Sequence, residues 1–300
     1  MKPNEPSMTA LMSCFVRAYH TEHDTPVIFR DDMARQLITD EEYKQIQTLL
    51  ANGLGFFAPE RLDAFSSDEE KVKWIVQTQL APTPIARAAY TERIVQHEKR
   101  LGATQYVILG AGMDTFAFRH PNSGMMIFEV DHPNTQQFKR ERIHMANWDM
   151  PACLQLVAAD FTKDDVASRL LAAGFRSNEK TVFSLLGVSY YLEKEHFYHL
   201  LHQLAPLMTE GSSIVFDVAD AQLFTSPIKR VQNTLALAQQ SGEPMKAAYS
   251  IEELEQQLQY DHLLIFEHVT PKQIQTQFFS NRHDDLTAFE HTHYLHAVRK

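Results

Sequence analysis

The sequence predicts an α/β protein, a doubly wound parallel sheet preceded by a helical extension and interrupted late by a helical cap. Three observations predict it. The first hundred residues are strand-poor, short apolar runs alternate with amphipathic segments from Gln105 onward, and the first of those runs ends in a Gly-Ala-Gly turn.

The extension, residues 1–100, contains "DEEYKQIQTLLANG" and "DEEKVKWIVQTQLAP", which carry apolar residues at helical spacing and stop at glycine or proline. The strand candidates follow in order as "YVILGA", "MMIFEVD", "LQLVAAD", "TVFSLLG" and "SSIVFDVAD". Between them "NTQQFKRERIHMANW", "DDVASRLLAAG" and "EKEHFYHLLHQLAPLM" each put apolar side chains on one side and begin near Asn, Asp or Glu, as helices do. After Asp220 the strand rhythm stops for about forty residues of helical pattern broken at Gly-Glu-Pro. This segment, 220–260, is expected to cap the sheet, with Phe224, Leu235 and Leu237 roofing a site. The chain closes with "HLLIFEHV" and "THYLHAVRK", the latter alternating strictly as a half-solvated strand would. Without a linker, repeat or low-complexity stretch, 1–300 reads as one domain with its core at 101–300.

Composition narrows the partners. A net charge of −10 opposes nucleic-acid binding, which draws on lysine and arginine displacing counterions. No apolar run approaches the roughly 20 residues that span a bilayer. Cys14 and Cys153 have no paired spacing and no apolar signal segment precedes them, so a reducing, cytoplasmic setting is expected. A small molecule is the expected partner, and the sequence carries no signal of an oligomeric state.

The turn Gly110-Ala111-Gly112 brings backbone close to a ligand or to the next helix. About 20 residues later Glu129 and Asp131 lie on one side of the second strand, where an acid can accept ribose hydroxyls. A nucleoside-containing cofactor is expected. The dinucleotide fingerprint wants a third glycine where Thr115 stands, and Asp114 puts an anion where a pyrophosphate would sit. A cationic cofactor without phosphate, S-adenosyl-L-methionine, suits the turn better. Asp160 in "AADF" is placed to meet the adenine amine with Phe161 on the ring, although a helix-capping Asp before a core Phe has the same spacing. Tyr190 and Tyr191 follow the fourth strand, where they touch the substrate or pack a helix start.

These residues carry a resemblance. "QYVILGAGMDTFAFR", "FEVDHPNTQQFKRERI", "AADF" and "FSLLGVSYYL", with "FVRAYHTEHDTPVIFRDDMARQL" upstream, resemble the leucine carboxyl methyltransferase family, including bacterial members related to polyketide O-methyltransferases. The resemblance implies a Rossmann-like methyltransferase sheet of seven strands, the last antiparallel, with the two closing runs as a final hairpin. It implies S-adenosylmethionine as cofactor, Arg87 at the methionine carboxylate, Gly110 and Gly112 at the methionine portion, Asp131 at the ribose, and Asp160 and Phe161 at the adenine. One departure stands out. Many members have an acid immediately before the fourth-strand glycine, and this chain has Leu186, so backbone carbonyls near Leu185 and Leu186 are the expected ammonium partners.

The implied reaction is methyl transfer to a carboxylate or hydroxyl of a small molecule, less readily to a protein C-terminus, with no general base nominated. Two alternatives remain open at this point: a nicotinamide-dependent oxidoreductase, and a methyltransferase fold that binds without turnover. No metal set is nominated; His291 and His293 share a strand face but have no acid or cysteine in register. No Gly-X-Ser-X-Gly hydrolase elbow occurs.

Overall fold

The computed structural model describes residues 7–300, so the first six residues of the expected extension lie outside it. Among the described residues five α-helices come first: α1 Met8–His23, α2 Asp40–Asn52, the single turn α3 Leu54–Phe57, α4 Asp68–Ile75 and α5 Pro82–Arg100. α2 starts on a capping box, Thr39 and Glu42 each satisfying the other's backbone N–H. The alternating part runs β1 Gln105–Leu109, α6 Phe116–Arg119, β2 Met126–Asp131, α7 Pro133–Met145, β3 Leu154–Ala158, α8 Val166–Ala172, β4 Thr181–Leu185, α9 Lys194–Leu204 and β5 Ser213–Ala219. α10 Lys229–Gln240, α11 Ile251–Tyr260, β6 Leu263–Val269, α12 Pro271–Phe278 and β7 Thr292–Arg299 complete it.

All seven strands join one sheet in the order β3-β2-β1-β4-β5-β7-β6. β1 to β5 pair in parallel, and β7 runs antiparallel to both β5 and β6. The order reverses between β1 and β4, which makes their carboxyl ends a switch point where a crevice opens.

The pleat sends alternate side chains into two cores. Tyr106, Ile108, Ile127 and Val182 join a cluster built with α1, α2, α4 and α5, whereas Val107, Leu109, Phe128 and Phe183 join one built with α8, α9 and α11. The N-terminal helices thus supply one of the two layers covering the sheet.

Three expectations change. β7 is buried over most of its length and not half-solvated, because it is inserted between β5 and β6. The alternating, half-exposed strand is β6, at the sheet edge. The two are also joined through α12 and a further loop, not by a tight hairpin. The segment expected as a cap divides: α11 buries Leu254 and Leu258 in the sheet-flanking core and contacts β6, whereas α10 packs against α3 and the helical turn at 76–80. Among the described residues no helix is long and apolar enough to cross a membrane.

Candidate functional site

The crevice at the switch point is a cavity of about 710 Å³, inside the range of small-molecule sites. Its floor is the turn after β1 and the turn after β4. Gly110 has φ +69°, and a Cβ there would come within 2.3 Å of Val188 Cγ2, so a side chain would collide with the neighbouring turn. Only glycine lets the two turns lie against each other in this backbone conformation.

Asp131 closes the end of β2. Its Oδ2 accepts the Gly112 N–H at 2.5 Å and its Oδ1 the His132 N–H at 2.6 Å, leaving lone pairs on both oxygens toward the cavity. Burial raises its pKa, opposed by those two backbone donors. Asp114 also lines the cavity, its Oδ1 bonded to the Phe116 N–H, and Ala111 lies within the same lining. Asp160 and Phe161 line the side beyond β3. Asp160 accepts from the Thr162 N–H and from Lys163 Nζ; although burial works to raise its pKa, these partners bring it down to about 2. It therefore stays ionised, with the cavity before it. The helix cap of α8 is Asp165, not Asp160.

Glu129 is a correction. It shares the face of Asp131, but two residues along a strand is a drop of about 6.6 Å, and Glu129 ends fully buried beneath the cavity, outside its lining. There it pairs with Lys139 of α7, whose Nζ also donates to the Asp114 carbonyl at 2.6 Å. Burial, partly offset by Lys139, pushes the Glu129 carboxyl up to about 7. This buried pair supports the glycine turn from below.

Leu186 lines the cavity, whereas Leu185 is buried in the core behind it. Arg87, from α5, reaches the cavity edge with 12% of its side chain exposed. Its Nη1 donates to the Tyr190 hydroxyl at 2.9 Å and to Asp217 Oδ2 at 3.0 Å. Among the described residues its Nε and Nη2 make no hydrogen bond. Two other arginines line the cavity, and each of their guanidinium nitrogens already has a partner: Arg17 on Asp31, Ser13 and the Met113 carbonyl, Arg119 on Thr115 and Glu92. Among the described residues Arg87 alone of the three has whole guanidinium nitrogens, Nε and Nη2, without a hydrogen bond to offer a ligand carboxylate. Tyr190, expected at the substrate, is 7% exposed and sits behind Arg87, outside the lining; Tyr191 does face the cavity. Asp217, in the middle of β5, was not singled out from sequence, although a carboxylate inside an apolar strand demands a partner.

The rim is framed by segments far apart in sequence, the start of α1 and the loop after α10. Glu243 Oε2 accepts from Ser7 Oγ at 3.1 Å, the Thr9 N–H at 3.2 Å and Thr9 Oγ1, tying the start of α1 to the loop after α10. Pro244 and Lys246 of that loop line the cavity, while Phe224, Leu235 and Leu237 do not. Those three belong elsewhere: Phe224 is half exposed, and Leu235 and Leu237 pack into neighbouring clusters. The histidines are corrected too. His291 precedes β7, and the acid near the pair is Asp220 from the end of β5, 3.0 Å from His291 Nδ1 and 3.3 Å from His293 Nε2.

The arrangement suits a zwitterionic nucleoside: acids at the second and third strand ends, a tight backbone turn, and one arginine with open donors. Comparison with known proteins agrees. The family model described as leucine carboxyl methyltransferase matches residues 10–205. A Bacillus subtilis (strain 168) protein, provisionally named an S-adenosyl-L-methionine-dependent methyltransferase, is 48% identical over 305 residues, covering 100% of both chains. A similarly named protein of Mycolicibacterium paratuberculosis (strain ATCC BAA-968 / K-10) is 30% identical over 213 residues, 69% of this chain and 63% of its own. In fold the chain is similar to a crystal structure of a duf574 family protein from Streptomyces avermitilis, with a TM-score of 0.55 at 12% identity, covering 96% of this chain and 97% of that one. A Thermobifida fusca structure provisionally described as a methyltransferase gives the same TM-score at 14% identity, over 100% of this chain and 96% of its own.

Proposed function

The chain belongs to the leucine carboxyl methyltransferase family and is an S-adenosylmethionine-dependent methyltransferase; from that premise we propose that its acceptor is a carboxylate or hydroxyl oxygen of a small molecule. The observation that carries this reading is the single continuous cavity in which the Gly110–Gly112 turn, Asp131, Asp160 and Arg87 meet a separate mouth formed by α1 and the loop after α10. The nicotinamide alternative does not survive the family match.

In this reading Asp131 accepts from the ribose hydroxyls, Asp160 and Phe161 hold the adenine, the backbone of Gly110, Ala111 and Gly112 faces the methionine portion, and Arg87 takes its carboxylate. Glu129 and Leu185 support the walls without contact. Leu186 offers its backbone carbonyl toward the amine. When bound, S-adenosylmethionine supplies a methyl group on a sulfonium, already an activated leaving group. The protein's own task is then alignment and exclusion of water.

Phe29, Pro84, Leu192 and Pro244 make the remaining lining partly apolar, with Tyr191, Lys246, Thr9, Ser13 and Glu243 among its polar points. This favours a small, partly apolar acid or phenol. Burial pushes the Tyr191 phenol up to about 12, so at neutral pH it remains protonated and serves as a donor. An ionised carboxylate acceptor needs no proton removed, and a donor such as Tyr191 orients it. We read residues 1–300 as one unit in a reducing, cytoplasmic setting, with the two cysteines free.

The test is calorimetry with S-adenosylhomocysteine and with NAD, followed by methyl transfer to a panel of small carboxylic acids, phenols and alcohols. Binding of the first ligand only, with turnover on an oxygen acceptor, is expected. Cofactor binding without turnover on any acceptor class would favour a binding protein of this fold, and transfer to nitrogen or sulfur alone would overturn the oxygen assignment.

A further inference from the structure

The fourth-strand turn lacks the acid that its position suggests, yet an acid stands directly behind it. Asp217 of β5 has no exposed surface, and both its oxygens are engaged. Oδ1 accepts the Gly187 N–H at 2.6 Å, from the residue immediately after Leu186. Oδ2 accepts Arg87 Nη1 at 3.0 Å and the Tyr190 hydroxyl at 3.3 Å, and that hydroxyl in turn accepts from Arg87 Nη1 at 2.9 Å. The Asp217 carbonyl holds Ser189 Oγ at 2.6 Å. One strand residue therefore fixes the turn at two points and the arginine at one.

Gly187 makes this contact possible. It has φ +70°, and a Cβ there would lie 2.5 to 2.8 Å from the Arg87 guanidinium, which rests flush on the turn. Arg87 lines the cavity, and among the described residues its Nε and Nη2 remain without a hydrogen bond. Arg87 and Asp217 together are neutral, which matches a ligand end that is itself a zwitterion. A lone buried arginine would attract the carboxylate and repel the ammonium.

We propose that Asp217, with Tyr190, is a positioning unit for the amino-acid end of the cofactor: from behind the turn it orients the Arg87 fork and locks the Leu186-Gly187 backbone. Asp217 touches no ligand in this scheme. The proposal rests on Arg87 being the carboxylate site.

The experiment compares two ligands, S-adenosylhomocysteine and 5′-methylthioadenosine, which share the adenosine and differ by the amino-acid end. Binding of each is measured by calorimetry on the full chain and on the variants Asp217→Asn, Tyr190→Phe and Arg87→Ala. Asn has one carbonyl oxygen, so whichever way its amide points, either Gly187 or Arg87 loses its acceptor. Asp217→Asn is expected to weaken adenosylhomocysteine about tenfold or more and methylthioadenosine by less than about threefold. Tyr190→Phe, a milder change that keeps the fold, is expected to shift the same ratio in the same direction by about threefold. Equal weakening of both ligands, or no change in their ratio in either variant, overturns the positioning role. If Arg87→Ala also leaves the ratio unchanged, the carboxylate assignment itself falls; if Arg87→Ala shifts it and the other two do not, only the role of Asp217 and Tyr190 is lost.

Discussion

The Gly112 N–H donates to Asp131 Oδ2 at 2.5 Å across 19 residues of sequence, so the glycine turn and the second-strand acid form one hydrogen-bonded unit. Whatever binds the carboxylate also feels the turn. Asp131→Ala is therefore expected to weaken adenosylhomocysteine binding by roughly 1.5 to 3 kcal/mol for each charged hydrogen bond lost, while a cooperative thermal transition persists. Asp131→Asn should lose less, since its carbonyl keeps one acceptor. Calorimetry showing unchanged affinity in a folded Ala variant would remove Asp131 from the site.

Gly110→Ala should damage both stability and binding. The left-handed backbone costs a non-glycine residue roughly 1 to 2 kcal/mol, and the new Cβ meets Val188 at 2.3 Å. Adding Val188→Ala removes the collision but not the backbone strain. Urea titrations should show the double variant recovering part of the loss; full recovery would mean that the backbone conformation at Gly110 carries no strain.

Glu129 makes a pH-dependent contribution. Its folded carboxyl, at about 7, lies above the ordinary 4.5, so between those values the folded chain holds more protons than the unfolded one. Stability therefore falls as pH rises through roughly 4.5 to 7. Subtracting the unfolding free energy of Glu129→Gln from that of the parent at each pH should isolate a difference that declines across this window. A flat difference would show that Lys139 keeps the carboxyl ionised throughout.

Glu243→Ala releases the start of α1 from the loop after α10. Acceptor KM should rise several-fold, with adenosylhomocysteine affinity changed by less than about threefold. Loss of cofactor affinity in place of acceptor affinity would assign the tie to the nucleoside side of the cavity.

All seven strands were legible because each is an apolar run bounded by polar residues, and the turn because glycine spacing and a following acid are local signals. Depth was not legible. Glu129 and Asp131 share a face as expected, but periodicity does not say which of two carboxylates reaches the crevice and which lies a pleat below. Tyr190 and Tyr191, adjacent in sequence, turn to opposite fates because one packs behind Arg87. Asp217 carried a readable warning, a charge within an apolar strand that must be buried, whereas Lys139 lies in a largely polar helix and gave none. The N-terminal helices gave no sign of their layer role, since amphipathicity reveals an apolar face and not what covers it. Leu254 and Leu258 show the same gap, their helical spacing equally compatible with a cap and with the sheet flank that α11 occupies.

The placement of β7 between β5 and β6 has a consequence for the growing chain. During synthesis β5 and β6 emerge first and are not neighbours, so each shows a bare edge until the last of the seven strands arrives to fill the slot. Unpaired edges of that kind recruit other chains. A truncation that removes Thr292–Arg299 would not trim a border strand; it would take out an interior plank, parting β6 from the rest and baring the backbone of the strand that carries Asp217. Lesions that remove Thr292–Arg299 should thus behave as aggregation defects rather than as mild losses of activity.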